Sequence, residues 1–449
     1  MEGKITKEVS KKIKELAIQY PQAVSIGLGK KITNGVDTGE FAIVISIPKK
    51  KKLSELTSSE IIVDNVTIEN EGVVKVDIIE ETIIQHLGCD AFCGNTAAGS
   101  NNAANRATNQ LMQGGISFSS RNNTKTIGTL GGMVKHVETG TTVGLTNNHV
   151  SINDAFYTSD RDINNQYLND AFPVNRVYQN GESGSNTPVS NNMGVSLRYV
   201  PIHKKSTGIC NQVDAAICSI VESRFDINTA WNQIGLESIL GSTAPPFAST
   251  AELDLLLTIN PRVYSSGRTT GPKGLMPECP MTISAVDALI TSIGYQMQNP
   301  TQANLADAQN SPYYVVCQFD RAIKFVKPNN DTPDSTVPGC INPIFSGDSG
   351  SFLLAELNGT IKIIGLCYAG SSNSQGQVTT GVACRIDDVV QQLGIAAYDP
   401  DDALAGTLAD PDSIIYITEP GISDDKIRSC NSKTYWQAGF TDTLENQCV

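Results

Sequence analysis

Residues 345–351 read FSGDSGS, and this stretch places a serine in a tight turn between glycines. Because glycine adopts positive φ angles that other residues avoid, Gly347 lets the backbone bend just before Ser349. Such a bend can turn the N–H groups of Gly347 and Ser349 toward one point, where they would bind the oxygen that gains charge in a tetrahedral intermediate. Ser349 is therefore a candidate nucleophile, and Gly347 with Ser349 a candidate oxyanion hole. An isolated Gly-Asp-Ser-Gly is equally typical of an ordinary loop.

A serine hydroxyl is a weak nucleophile, so this chemistry needs an imidazole to take its proton and a carboxylate to orient that imidazole. GLTNNHV (144–150) ends a strand-like apolar run at His149, and QVDAAICSI (212–220) places Asp214 at the start of another. We expect His149 to be the general base and Asp214 its orienting partner. The other histidines and the competing aspartates lack such a context: His86, His136, His203, Asp320, Asp387 and Asp388.

Five elements in one order carry a resemblance to a known family. LTNNHV, DAAI and GDSGS, followed by GLCYAGSS (365–372) and TGVACRI (380–386), resemble the histidine, aspartate and serine signatures and the pocket strands of the trypsin-like superfamily. The resemblance covers roughly residues 115–222 and 313–397. It implies a mainly β, chymotrypsin-like double β-barrel and a serine endopeptidase that works through an acyl-enzyme without a cofactor. It also implies the roles already given to His149, Asp214 and Ser349.

The same resemblance suggests a substrate pocket. Gly370 and Gly381 fall where the pocket walls of the family lie. Members that cleave after Lys or Arg carry an acidic residue six positions before the nucleophile, and here that position is Pro343. We therefore expect a preference for an uncharged side chain, either small or apolar.

The front of the chain predicts a small α+β N-terminal domain over 1–88. Apolar residues three or four apart describe one face of a helix: Ile5, Val9, Ile13, Leu16 and Tyr20. A hairpin follows, since TNGVDTG separates two strand-like runs. VSIGLGKKITNGVDTGEFAIVISIPKKK (24–51) is similar to intracellular trypsin-like proteins that include the plant narrow-leaf protein and bacterial relatives. That similarity implies an N-terminal domain attached to a protease, with a homo-oligomer as an option.

Composition divides the rest of the chain. Residues 89–114 are rich in Asn, Ala, Gly and Ser and predict a linker before a protease domain over 115–398. Within it, 223–312 predicts a partly helical insertion, because STAELDLLL and TISAVDALITSIGYQMQ have helical spacing. Residues 399–449 carry ten acidic and three basic residues and predict an acidic C-terminal tail.

Two forms of regulation are compatible with these features. Cleavage after Gly115 would release Ile116 as a new amino terminus, with which Asp348 would pair as the matching aspartate does in secreted members; the alternative is that Asp348 serves locally. The tail contains the strand-like DPDSIIYITEP (410–420), which could lie near the substrate groove, although a plain solubilising role is the simpler interpretation.

Charge and cysteine content restrict the partners and the location. A net charge of −13 argues against nucleic acid and anionic membranes, so we expect a protein or peptide substrate. No apolar stretch predicts a signal peptide or a membrane span, and we predict a cytoplasmic protein with mostly reduced thiols among its 11 cysteines. Cys89, Cys93 and His86 are too few for a zinc site, so we predict no metal.

Two other functions remain open on the sequence alone. A protease-fold scaffold could bind protein segments without cleaving them, but such proteins usually lose a member of the triad, and this chain keeps all three. A hydrolase for another acyl substrate, such as an esterase, would act on esters rather than peptides. The nucleophile motif is not the Gly-x-Ser-x-Gly elbow of α/β-hydrolases.

Overall fold

The computed structural model describes residues 3–33, 36–58, 60–82, 84–86, 105, 111–120, 127–151, 156–157, 176–178, 192–203, 205–275, 277, 280–296, 314–326, 343–372 and 378–400. Most of the predicted linker (89–114) and nearly all of the predicted acidic tail (399–449) lie outside these residues. The same holds for six of the cysteines: Cys89, Cys93, Cys279, Cys340, Cys430 and Cys448.

The described part of the chain is mainly β, which confirms that prediction. Its strands are β1 (Ser25–Thr33), β2 (Val36–Ile47), β3 (Asn65–Ile68), β4 (Gly72–Glu80), β5 (Ile84–His86), β6 (Ser117–Ser120), β7 (Gly128–Thr129), β8 (Gly132–His136), β9 (Thr142–Thr146), β10 (Phe156–Tyr157), β11 (Arg176–Tyr178), β12 (Asn192–Tyr199), β13 (Ile202–His203), β14 (Ala216–Cys218), β15 (Arg262–Gly267), β16 (Gly271–Lys273), β17 (Met281–Gln296), β18 (Tyr314–Val326), β19 (Phe352–Leu357), β20 (Thr360–Ser372), β21 (Val378–Arg385) and β22 (Ile395–Ala397). Its α-helices are α1 (Lys7–Gln19), α2 (Asn148–Ser151), α3 (Glu237–Leu240), α4 (Thr250–Leu253), α5 (Leu256–Ile259) and α6 (Ile386–Leu393).

Two large sheets organise the described residues. One has eight strands in the order β22-β8-β9-β14-β12-β11-β6-β7. The other has twelve, in the order β16-β15-β19-β20-β21-β18-β17-β1-β2-β4-β3, with β5 beside β17 and β20. Buried apolar side chains from both sheets and from α1 form one continuous core cluster. A short parallel pair, β10 with β13, completes the β structure.

The amino-terminal segment folds as its local pattern predicts. The side chain of Thr6 accepts a hydrogen bond from Val9 N and caps α1, whose Val9, Ile13 and Leu16 are buried. The predicted hairpin is confirmed, because β1 and β2 pair antiparallel. β1 also pairs antiparallel with β17, so the amino-terminal strands extend the sheet that contains β17 to β21.

The helical prediction for Met281–Gln296 is wrong, because this segment is the long strand β17. It pairs with β18 on one side and with β1 on the other. The register against β18 shifts four times, and Asp287 has a φ of 50°, so the simple alternation of a strand is broken. Among the described residues of the predicted insertion, the α-helices are the short α3, α4 and α5, of which α4 begins with a capping box between Ser249 and Glu252.

Candidate active site

His149 and Asp214 meet because their strands pair in the eight-stranded sheet. His149 lies in α2, which follows β9 directly, and Asp214 lies just before β14, which pairs with β9 through Ala216 and Thr146. The Nδ1 of His149 lies 2.5 Å from Oδ2 of Asp214, and the backbone N–H of His149 donates to Oδ1 at 3.1 Å. Both side chains are buried. The predicted imidazole and carboxylate are therefore in direct contact.

This contact determines which ring nitrogen of His149 can act as a base. A carboxylate only accepts hydrogen bonds, so the hydrogen of the neutral ring must lie on Nδ1. The lone pair is then on Nε2, the nitrogen that accepts a proton from a nucleophile in a serine–histidine–aspartate triad. The orientation of the ring is fixed at two points, because the backbone and the side chain of His149 bind the two oxygens of one carboxylate.

Three further groups hold Asp214. The hydroxyl of Tyr295 donates to Oδ2 at 2.9 Å, the backbone N–H of Asp214 donates to the Sγ of Cys384 at 3.2 Å, and Asn147 Nδ2 donates to the Asp214 carbonyl at 2.5 Å. Burial, and then the nearby Asp214 carboxylate, raise the pKa of Tyr295 well above its usual value, so the phenol stays protonated and remains a donor.

Tyr295 was missed by the sequence interpretation. It lies on β17, 81 residues beyond Asp214, in a stretch whose spacing predicted a helix. No local motif marks it, because its role depends on the pairing of β17 within the twelve-stranded sheet. Only a strand assignment for this segment could have placed its hydroxyl near His149 and Asp214.

The serine turn contains backbone N–H groups that donate to no described residue. Gly347 and Gly350 have φ angles of 98° and 94°, in the region that favours glycine. Within the described residues, Asp348 N donates to Phe345 O and Gly350 N donates to Cys367 O, whereas the N–H groups of Gly347 and Ser349 donate to no described residue. The two groups predicted to form an oxyanion hole are thus among the N–H groups of this turn that donate to no described residue.

Neighbouring atoms require glycine on both sides of Ser349. A Cβ on Gly347 would lie 2.3 Å from Thr269 Oγ1, and one on Gly350 would lie 2.1 Å from the Thr129 carbonyl. The turn is also tied to β7, since Thr129 N donates to the Ser349 carbonyl at 2.7 Å. The backbone at the candidate nucleophile is therefore held by a strand of the other sheet.

Asp348 is held by backbone groups of the intact chain. Its Oδ1 accepts from the N–H groups of Thr269 and Thr270, at 2.8 and 3.0 Å, and its Oδ2 accepts from Phe345 N at 2.9 Å. Burial raises the pKa of Asp348, and these hydrogen bonds oppose that rise. Ile116 is buried within an unbroken chain, where its carbonyl accepts from Leu130 N. In the uncut chain Asp348 therefore has local partners, and its pairing with a new amino terminus at Ile116 stays a prediction.

Ser349 and the His149 helix pack against the same short strand. A Cβ on Gly128 of β7 would lie 2.5 Å from the methyl groups of Val150 and 2.8 Å from the Ser349 carbonyl. The Ser349 hydroxyl itself donates to the carbonyl of Tyr368 at 3.3 Å. In a triad this hydroxyl would instead donate to His149, and catalytic hydrogen bonds are often long or poorly aligned in enzymes without substrate.

A row of aromatic rings joins the two halves of the site. The rings of His149 and Tyr295 meet edge to face with centroids 5.7 Å apart. Phe319 then lies 6.1 Å from Tyr295 and 4.9 Å from Tyr368, centroid to centroid. The row therefore runs from Tyr295, which donates to Asp214, to Tyr368, whose carbonyl accepts the Ser349 hydroxyl.

The predicted pocket residues lie on adjacent strands. Gly370 of β20 pairs with Gly381 of β21. A Cβ on Gly381 would lie 2.2 Å from the ring of Phe325, so this position requires glycine. Pro343 is buried in the segment that leads into the serine turn. The structure thus brings the two glycines together.

The described residues contain no candidate metal site and no candidate membrane-spanning helix, and their cysteines show which thiols are buried. No group of three or more His, Cys, Asp or Glu there could hold a metal ion, and no helix there is long and apolar enough to cross a bilayer. Four cysteines are buried free thiols: Cys218, Cys317, Cys367 and Cys384. Burial raises the pKa of Cys218 and of Cys367 to about 12, so both are unreactive. Cys210 is disulfide-bonded, which the predicted cytoplasmic location does not explain.

Comparison with known proteins gives only remote similarities. No family model matches the chain, and no curated protein matches it. A glutamic acid-specific serine protease, described as using a histidine triad in substrate binding, is 12% identical with a TM-score of 0.33, over 64% of this chain and 100% of that one. Cellulomonas bogoriensis chymotrypsin and Nocardiopsis protease are each 15% identical, with TM-scores of 0.32 and 0.33, over 64% of this chain and 98% of theirs. Values this low assign neither an activity nor a site.

Proposed function

We propose that this chain is a serine endopeptidase with His149 as general base, Asp214 as its orienting partner and Ser349 as nucleophile. The proposal rests on two arrangements that occur together, one at His149 and one at Ser349. A buried imidazole is held at 2.5 Å by a carboxylate, and a serine sits in a turn whose Gly347 and Ser349 N–H groups donate to no described residue. The two large sheets would correspond to the two β-barrels of a chymotrypsin-like protease.

In this mechanism Ser349 Oγ attacks the carbonyl carbon of a peptide bond while its proton passes to His149 Nε2. The oxygen that becomes negative accepts hydrogen bonds from Gly347 N and Ser349 N, and Asp214 stabilises the imidazolium. The C–N bond then breaks, the leaving amine takes the proton from Nε2, and an acyl-enzyme remains. Water attacks the acyl-enzyme in the same way, with His149 again as base, and releases the acid and free Ser349.

The proposed substrate is a protein or peptide with an uncharged residue before the cleaved bond. Gly370 and Gly381 would form walls without side chains, and Pro343 supplies no charge to bind Lys or Arg. A cytoplasmic location and a homo-oligomer remain proposals from the sequence, the second of them from the family resemblance. A role of the acidic tail or of cleavage before Ile116 in regulation belongs to the same group.

The first prediction tests the nucleophile. A fluorophosphonate forms an Oγ–P bond with an activated serine and releases fluoride, so wild type should gain one adduct by intact mass. Ser349→Ala and His149→Ala should gain none, because one lacks the nucleophile and the other its base. Ser346→Ala, in the same turn, is the matched control and should label like wild type.

The alternatives give different results. A catalytically silent scaffold would leave all four proteins unlabelled, which would overturn the proposal. An esterase would label but would hydrolyse ester substrates and leave a peptide library intact. Labelling that survives in Ser349→Ala would assign the activity to another residue.

A further inference from the structure

The strand β5 pairs with β20 directly beside Tyr368, whose carbonyl accepts the Ser349 hydroxyl. Its His86 and Gln85 pair antiparallel with Ala369 and Gly370. Ala369 directly follows the residue whose carbonyl accepts the Ser349 hydroxyl, and Gly370 is the candidate pocket residue. An antiparallel strand placed here runs along the pocket wall and toward the nucleophile.

The pairing of β20 shows that β5 fills an otherwise open edge. On one side, β21 pairs with β20 as far as Ser372. On the other side, β19 pairs only with the stretch from Thr360 to Leu366 and ends there. Because a strand has two edges, Ala369 and Gly370 would present an unpaired edge beyond β19 if β5 were absent.

An unpaired strand edge is the surface on which an extended peptide binds. Backbone hydrogen bonds along such an edge supply affinity, and pockets for alternate side chains supply selectivity. A substrate of the proposed peptidase must bring its scissile carbonyl to Ser349, and the edge of β20 nearest Ser349 is the one that β5 occupies. The chain's own segment and an extended substrate therefore compete for the same backbone groups.

Buried polar contacts hold the segment before β5 in this place. Lys324 Nζ lies 2.6 Å from Glu81 Oε2, and Ser371 Oγ donates to Glu81 Oε1 at 2.8 Å. Ile84 of β5 is fully buried. Glu81, Gln85 and His86 thus follow β20 backward from Ser371 to Ala369. On its other edge β5 pairs in parallel with β17, Ile84 with Ile293 and Gln85 with Gly294, so displacing β5 breaks pairing on both sides.

We propose that Ile84–His86 is an intramolecular ligand of the substrate-binding edge of β20 and inhibits the enzyme until it is displaced. The inference rests on the proposed function and names its regulation. A tethered strand competes at a high effective concentration, so an external peptide binds only to the fraction of molecules in which β5 has left the edge. Small reagents that need Ser349 but not the edge are unaffected.

The test uses the full chain with Gln85→Pro, because proline removes a backbone donor and breaks strand pairing. Gln85→Ala, which keeps the N–H, is the matched control. We expect kcat/KM for a fluorogenic peptide with Ala, Leu or Phe before the cleaved bond to rise about tenfold or more in Gln85→Pro, because the inhibited fraction falls. Gln85→Ala should stay near wild type, and all three proteins should react with fluorophosphonate at similar rates.

A synthetic hexapeptide with the sequence of Glu81–His86, ETIIQH, tests whether the added segment restores inhibition. It should inhibit peptide cleavage by Gln85→Pro and have little effect on wild type, while a scrambled hexapeptide should do nothing. If Gln85→Pro does not fold, Ser371→Ala loosens the same segment by removing a hydrogen bond to Glu81 without leaving a buried charge unpaired, and a smaller rise is expected. Unchanged peptide cleavage in a variant that still labels would overturn the inference and leave the proposed function standing. Absence of labelling in every protein would overturn the proposed function instead.

Discussion

At the scale of residues, Tyr295 and Tyr368 lie in one aromatic row but differ in the hydrogen bonds of their hydroxyls. That of Tyr295 donates to Asp214 at 2.9 Å, whereas the hydroxyl of Tyr368 makes no hydrogen bond within the described residues. A hydrogen bond to a charged group contributes about 1.5–3 kcal/mol. Because the hydroxyl of Tyr295 binds Asp214, it would act by positioning Asp214 and, through it, His149.

Tyr295→Phe should lower kcat about tenfold or more and leave KM nearly unchanged, because the lost hydrogen bond orients the base and does not bind substrate. Tyr368→Phe is the matched control, with the same loss of a buried hydroxyl, and should keep its kcat. The measurement is steady-state cleavage of a fluorogenic peptide. Equal kcat values for the two variants would show that the hydroxyl of Tyr295 has no positioning role.

At the scale of elements, the strand β13 contains His203, and burial there disfavours the protonated form of its ring. Burial lowers the pKa of His203 to about 4, well below the ordinary value near 6.5. The strand keeps its backbone hydrogen bonds through Asn211, whose side chain accepts from His203 N and donates to His203 O. The neutral ring is therefore part of the folded state, and the unfolded chain takes up a proton more readily.

The sign of the resulting pH dependence follows directly. Between about pH 6.5 and pH 4 the unfolded chain binds the proton and the folded chain does not, so His203 costs about 3 kcal/mol of unfolding free energy as the pH falls through this range. His203→Gln should gain stability relative to wild type as the pH is lowered from 7 to 4. Thermal midpoints of the two proteins across this range provide the measurement, and a constant difference would contradict the assignment.

The helix α1 and the strand β17 show which elements local sequence patterns can predict and which they cannot. The spacing of α1 and the turn residues between β1 and β2 predicted both correctly, because those structures depend on neighbours along the chain. The same reasoning failed for β17, since register shifts against β18 break its alternation and its pairing partners are distant in sequence. Strand pairing across the fold overrides local spacing at such a position.

At the scale of the whole molecule, a buried ion pair joins the amino-terminal segment to the strands around the site. Lys324 of β18 contacts Glu81 and also donates to Ser25 and Ser46, at 2.8 and 3.2 Å. Ser371 of β20 donates to the other oxygen of Glu81. One cluster thus connects β1, β2, β18 and β20, and Glu81 in it lies three residues before β5.

Lys324→Met should destabilise the protein by about 3–5 kcal/mol, because Glu81 is left buried without its partner. The double variant Lys324→Met with Glu81→Met should recover much of that loss, since it removes both charges and fills the space with apolar groups. Thermal unfolding of wild type and of the two variants measures the effect. Similar midpoints for the single and the double variant would refute this account of the pair.

Local sequence patterns were enough to identify the residue types of the candidate site and the elements that contain them: the serine turn with its glycines, the strand ends near His149 and Asp214, and the helix α1. Each depends on residues within a few positions, and backbone conformation responds to such short-range chemistry. The tertiary structure alone decided that Tyr295 binds Asp214, that Asp348 is held by the turn at Thr269 and that β5 covers β20. The physical reason is that strand pairing and buried hydrogen bonds join residues far apart in sequence, and no local pattern records their partners.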